Sequence, residues 1–161
     1  MLLIFFEVDR KIGVIFGGTF ENLHAGHIKL ISIAFKLGTH IIIGLTSDKM
    51  ASDMRKRAVK EFTDRKKQLT ELINSLDTNS SYEIISINDS YGPSITRSDI
   101  NIIIVSTETF PVALDINRKR RESGLDPLGI YVINLLESDT GLKISSSLIK
   151  MKSLDEWGRK K

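Results

Sequence analysis

No cysteine occurs among the 161 residues, which removes disulfides, thiolate nucleophiles and Cys-based zinc sites from the chemistry open to the chain. That suits a reducing cytoplasm. Aromatic residues make up only 7%, without the interleaving of aromatic and basic side chains that single-strand nucleic-acid modules use to stack bases. The apolar opening Met1-Leu2-Leu3-Ile4-Phe5-Phe6 is interrupted by Glu7 and has no basic segment before it. It lacks the layout of a signal peptide and is far too short to span a bilayer, so it reads as a short extra strand or an ordered tail. Charge of either sign is nearly balanced, with 23 Lys and Arg against 20 Asp and Glu and a net charge of +3. An excess that small would suit a small polyanion or a weak nucleic-acid surface, and decides nothing alone.

The apolar content of 41% is enough for one compact domain with a sizeable core. Lys11 to Phe16 ends in an apolar run that meets Gly17-Gly18. Ala25 to Leu37 then carries apolar residues at helical spacing, and Gly38 stops it. His40 to Leu45 is a continuous β-branched run, the pattern of a strand covered on both faces. After a charged stretch, Thr63 to Leu76 reads as a helix with Leu69, Leu72, Ile73 and Leu76 on one face. Strand-like runs recur at Tyr82 to Ile87, Ile100 to Val105 and Leu128 to Ile133, with a helix of about Val112 to Ser123 between the last two. This alternation predicts an α/β fold, a doubly wound, Rossmann-like parallel sheet of about five strands with helices on both faces and ligands at the C-terminal strand ends. The clusters Arg55-Lys56-Arg57, Arg65-Lys66-Lys67 and Arg118-Lys119-Arg120-Arg121 fall in helical or flanking segments, where a solvated face is the expectation.

Chemistry concentrates where the first strand's loop becomes a helix. Two of the three histidines sit there, in His24-Ala25-Gly26-His27. A helix N-terminus presents unpaired N–H groups and a partial positive charge, so imidazoles fixed there face whatever anion the helix attracts. Gly17, Gly18 and Thr19 add backbone donors and a hydroxyl, a phosphate cradle that matches neither Gly-x-x-x-x-Gly-Lys-Ser/Thr nor Gly-x-Gly-x-x-Gly. A metal reading of His-x-x-His lacks further ligands nearby, so no metal site is assigned. Glu21, in a surface loop, is expected to be solvated.

The run Gly17-Gly18-Thr19-Phe20-Glu21-Asn22-Leu23-His24-Ala25-Gly26-His27 resembles the signature loop of the His-x-Gly-His nucleotidyltransferase superfamily. Ile144-Ser145-Ser146-Ser147-Leu148-Ile149-Lys150 resembles its second signature. Between them, Gly44-Leu45-Thr46-Ser47-Asp48, Tyr91-Gly92-Pro93, Val105-Ser106-Thr107-Glu108-Thr109, Ile116-Asn117, Arg120 and Gly124-Leu125-Asp126-Pro127-Leu128 are similar, in order, to the archaeal and eukaryotic-type phosphopantetheine adenylyltransferases. The resemblance runs from Lys11 to the C-terminus. It departs at Glu21, where the family loop usually has Asp, and over the ten residues ahead of Lys11.

The resemblance implies attack of a phosphate oxygen of 4'-phosphopantetheine on the α-phosphorus of ATP, with pyrophosphate leaving. Thr19 would hold the acceptor phosphate, and His27, with His24 beside it, would contact the ATP phosphates and stabilise the transition state. Gly17, Gly18 and Phe20 belong to the same loop; Ser145, Ser146, Ser147 and Lys150 would bind the triphosphate, and Asn117 and Arg120 would line the nucleotide site. Lys56 and Lys60 are equal candidates for a phosphate-holding lysine. Mg2+ is expected with ATP, held by phosphate and water. Neither nucleic acid nor membrane is expected as a partner, and a homo-oligomer is left open. Rival acceptors within the superfamily are nicotinamide mononucleotide, flavin mononucleotide and glycerol phosphate; a non-catalytic nucleotide- or RNA-binding module is the alternative of another class.

Overall fold

The computed structural model describes residues 11–76 and 78–134. Its elements are β1 (Gly13–Gly18), α1 (Ala25–Leu37), β2 (His40–Thr46), α2 (Asp48–Arg55), α3 (Phe62–Asn74), β3 (Ser81–Ile87), a 3-10 turn at Gly92–Ile95, β4 (Ile102–Ser106), α4 (Phe110–Glu122) and β5 (Gly129–Ile133). The strands form one sheet in the order β3-β2-β1-β4-β5, and every pairing is parallel. The chain starts at the centre, winds outward to β3 and returns to β4 on the other side of β1. This reversal leaves a crevice beyond the ends of β1 and β4, where doubly wound sheets bind ligands. Among the described residues no helix is long and apolar enough to cross a membrane.

The strands alternate their buried side chains between two cores. Val14, Phe16, Ile41 and Ile43 meet Ile31 and Ala34 of α1 and Leu69 and Ile73 of α3 on one face. Ile15, Ile42, Ile103 and Val105 meet Ala113 and Ile116 of α4 on the other. The expected helices on both faces are therefore present. The charged stretch after β2 holds an additional helix, α2, which sequence reading passed over. The Ser47 hydroxyl caps it by accepting from the Met50 N–H at 3.3 Å, and Lys56 closes it in a left-handed conformation with φ of 52°. Gly38 does stop α1, but with an extended backbone (φ −126°). A glycine is needed there for packing, because a Cβ would stand 2.5 Å from Val14 Cγ2.

Two residues expected at the nucleotide site are committed elsewhere. Asn117 donates through Nδ2 to the Leu128 carbonyl at 2.9 Å and accepts from the Leu128 N–H at 2.7 Å. Arg120, only 1% exposed, donates to the carbonyls of Asp126 at 2.6 Å, Ser94 at 2.6 Å and Arg97 at 2.8 Å. Both stitch α4 to the segments around β4 and β5, because buried backbone groups with no ladder partner require a side-chain one. Replacing Asn117 by Leu should therefore orphan both polar groups of Leu128. Urea denaturation is expected to show a loss of about 2–6 kcal/mol, each of the two orphans costing about 1–3 kcal/mol; a loss under about 0.5 kcal/mol would remove Asn117 from this role.

Candidate active site

The loop from β1 to α1 is set by Phe20, whose φ of 49° is unusual for a bulky residue. Its buried ring packs edge-on against Phe16 at 6.1 Å and lies 5.0 Å from the His27 ring. The chain then turns into α1, and His24 occupies the N-cap, its Nδ1 accepting from the Gly26 N–H at 3.2 Å. His27 follows on the first turn, its ring 3.8 Å from that of His24 and inclined by 30°. Burial, then the neighbouring charges of His24 and Arg55, push the His27 imidazole down to about 3 against a weaker upward pull from the Asn22 backbone. His27 is therefore neutral at physiological pH and carries one N–H. Its Nδ1 is buried without a hydrogen-bond partner.

Thr19 is held from behind. Thr46 Oγ1 donates to Thr19 Oγ1 at 3.3 Å and itself accepts from Arg65 Nη1 at 3.3 Å. Arg65 also donates to the Thr19 carbonyl at 2.9 Å, the Thr46 carbonyl at 2.9 Å, Asp48 Oδ1 at 2.9 Å and the Lys60 carbonyl at 2.8 Å. With its oxygen accepting from Thr46, the Thr19 hydroxyl keeps its own proton to donate. Glu21 corrects another expectation: it is 1% exposed and is gripped by both terminal nitrogens of Arg57, at 2.9 and 2.7 Å. The fork-to-carboxylate pairing supplies what a buried carboxylate requires.

Two cavities open at this strand end. The first, of about 390 Å³, is faced by Gly18, Thr19, His24, His27 and Arg55, with Ser106, Glu108 and Thr109 of the β4–α4 connection opposite. The second, of about 170 Å³, is mainly apolar and bounded by Gly17, Gly44, Ile87, Tyr91, Pro93 and Val112. Gly17 and Gly44 are register partners on β1 and β2. A Cβ on Gly44 would press on Ile87 Cδ1 at 3.1 Å, so the absence of side chains keeps the floor of that cavity low.

The structure thus brings together Gly17, Gly18, Thr19, Phe20, His24 and His27. Lys56 and Lys60 are exposed and face neither cavity; Lys60 Nζ reaches Gln68 instead, at 3.5 Å. The cation of that stretch on the cavity is Arg55, which sequence reading missed. Ser47 as cap and buried Ala51 four residues before Arg55 on the same helix face were the available signals. Ser145, Ser146, Ser147 and Lys150 lie outside the described residues.

The model of the cytidylyltransferase-like family matches residues 15–152, a span that includes both signature segments. Relatives agree with it. The chain is 42% identical over 147 residues to the phosphopantetheine adenylyltransferase of Pyrococcus horikoshii, covering 90% of this chain and 92% of the relative. It is 38% identical over 137 residues to that of Methanopyrus kandleri, covering 85% and 87%. A solved structure of a protein with unknown function from Archaeoglobus fulgidus matches with a TM-score of 0.66 at 38% identity, over 76% of this chain and 89% of that one. With a family model over most of its length and relatives 38% and 42% identical over nearly their whole length, the chain belongs to the phosphopantetheine adenylyltransferases of the cytidylyltransferase-like family.

Proposed function

We propose that this chain transfers AMP from ATP to 4'-phosphopantetheine in the cytoplasm, giving 3'-dephospho-coenzyme A and pyrophosphate. The observation that carries this reading is the pair of cavities at one strand end, the first bearing the donors Thr19, His24, His27 and Arg55 and the second mainly apolar, both reaching Gly17 and Gly18. The first suits a triphosphate. The second suits an uncharged arm attached to a phosphate, and the similarity to the phosphopantetheine adenylyltransferases supports the same substrate.

In this reading a phosphate oxygen of the acceptor attacks the α-phosphorus of ATP. The bond from that phosphorus to the bridging oxygen breaks, and its electron pair leaves on pyrophosphate. A phosphate monoester has its second pKa near ~6, so the nucleophile is ionised at neutral pH and no side chain has to take its proton. What remains is to hold two polyanions in line and neutralise charge on the phosphates. Thr19 would donate to the acceptor phosphate, while neutral His27, His24 and Arg55 would face the α- and β-phosphates; Ser145, Ser146, Ser147 and Lys150 would bind the rest of the triphosphate. Among the described residues Glu108 is the one carboxylate on the cavity, and no three His, Asp or Glu side chains converge as metal ligands. That donor set fits Mg2+ carried by phosphate oxygens and water. When bound, the cation supplies further neutralisation of the triphosphate.

Pyrophosphate release measured with ATP or CTP and a panel of acceptors tests the assignment. Release is expected with ATP and 4'-phosphopantetheine; equal or faster release with nicotinamide mononucleotide, flavin mononucleotide or glycerol 3-phosphate would overturn the acceptor. In the same assay His27→Ala should lower turnover by roughly 10²–10³, the usual loss of one preorganised donor to a developing anion. Near-normal turnover would end that role.

The lowered titration of His27 also has a sign for stability. Its folded value of about 3 lies below the ordinary 6.5, so on acidification the unfolded chain takes up this proton first. Native stability is then lost between about pH 6.5 and 3, by up to about 1.4 kcal/mol per pH unit. A His27→Gln variant, neutral throughout, should lose correspondingly less than the wild type in urea denaturation between pH 6.5 and 4.5. Parallel losses would show that His27 titrates normally.

A further inference from the structure

Tyr91-Gly92-Pro93 has so far been given no task, yet it forms a wall of the apolar cavity. The turn that presents it is fixed locally by Asp89 Oδ1, which accepts from the N–H groups of Tyr91 and Gly92, both at 2.8 Å. Further ties run to α4. The Tyr91 hydroxyl donates to Asp115 Oδ2 at 2.7 Å, Lys119 Nζ stands 4.9 Å from the centre of the Tyr91 ring, and Arg120 holds the Ser94 and Arg97 carbonyls just beyond. The Asp115 carboxylate is itself aimed: Arg118 donates to its other oxygen through Nε at 2.9 Å and Nη2 at 2.5 Å. The Tyr91 hydrogen bond, then Arg118, holds that carboxyl below the usual carboxylate range, so it stays a charged acceptor. The same cavity is lined by Val112 and Ile116, from the helix that carries Asp115.

A half-exposed ion pair such as Asp115 with Arg118 contributes little to folding. An aromatic side chain on a loop over a cavity, by contrast, loses side-chain freedom only when something fixes it. We propose that Asp115 is a positioning residue for acceptor selection: through the Tyr91 hydroxyl it sets the Tyr91-Gly92-Pro93 wall against the uncharged arm of the acceptor. The inference rests on the acceptor assigned above. Because the latch touches the apolar cavity alone, its loss should weaken binding of the arm while leaving the triphosphate side intact.

The experiment uses the full chain with magnesium, varying 4'-phosphopantetheine at saturating ATP and then ATP at saturating acceptor. Tyr91→Phe keeps the ring and removes the bond; Asp115→Ala removes the acceptor oxygen; Asp115→Asn keeps an oxygen that can accept. The first two should each raise KM for 4'-phosphopantetheine about tenfold, the scale of one charge-assisted hydrogen bond. KM for ATP should stay within about twofold, and the double variant should be no worse than either single one. Asp115→Asn should recover most of the loss. An unmoved acceptor KM, or a parallel rise in both KM values, would overturn the latch while the wild type still turns over. A wild type silent with 4'-phosphopantetheine would instead sink the acceptor assignment and the latch with it.

Discussion

The site depends on a buried charge. Arg65 is 0% exposed, and a guanidinium in that position is tolerable only if its donors are met in good geometry. Its three nitrogens reach the carbonyls of Thr19, Thr46 and Lys60, the Thr46 hydroxyl and the Asp48 carboxylate. These acceptors belong to the loop after β1, the end of β2, the start of α2 and the segment before α3. One side chain therefore ties together four pieces of backbone around Thr19 at the edge of the crevice. The planar fork is what makes this feasible, since a lysine offers a single ammonium and could not meet acceptors spread in so many directions. Through Thr46 the same group also settles which way the Thr19 proton points.

Arg120 repeats the device on the opposite face, and Arg57 does so on Glu21. The net charge of +3 therefore misdescribes the molecule: several of its arginines serve as internal hydrogen-bond hubs. Arg55, which lines the first cavity, stands beside loops that the buried arginines organise.

Much of the fold was legible because it is written in periodicity. The span Ala25 to Leu37 and the β-branched runs that became β2, β3 and β4 follow from spacing alone, and the parallel order follows from alternation. The doubled histidine at a strand-to-helix junction also pointed to the loop that lines the first cavity. The misses share one cause. Carried back a turn, the stripe of Leu69 and Ile73 lands on Arg65. Carried forward, the stripe of Ala113, Ile116 and Asn117 lands on Arg120, and Ala51 leads forward to Arg55 in the same way. Spacing placed all three arginines on inward or site-facing stripes, while the general exposure of arginine argued for solvent. Periodicity was the better guide, because a long side chain can bury its stem and still find carbonyls at the end of a helix. The partner of Glu21 was less accessible. Nothing local links residues 21 and 57, and only the folding of α2 over the loop brings them together.

In the loop after β1 the left-handed backbone of Phe20 costs on the order of 1–3 kcal/mol. Its ring makes that conformation tenable by filling the space between Phe16 on the strand and His27 on the helix. The same ring helps to keep water from His27, and burial is the largest cause of the imidazole's neutrality. Strain in the loop, packing in the core and the protonation state of the histidine are thus one arrangement seen at three levels. A neutral imidazole on a helix N-terminus offers phosphate an N–H without first having to lose or gain a proton. In the reaction proposed above the nucleophile arrives already ionised; fixed donors of this kind are what it would need, and buried Arg65 holds the loop that leads to them.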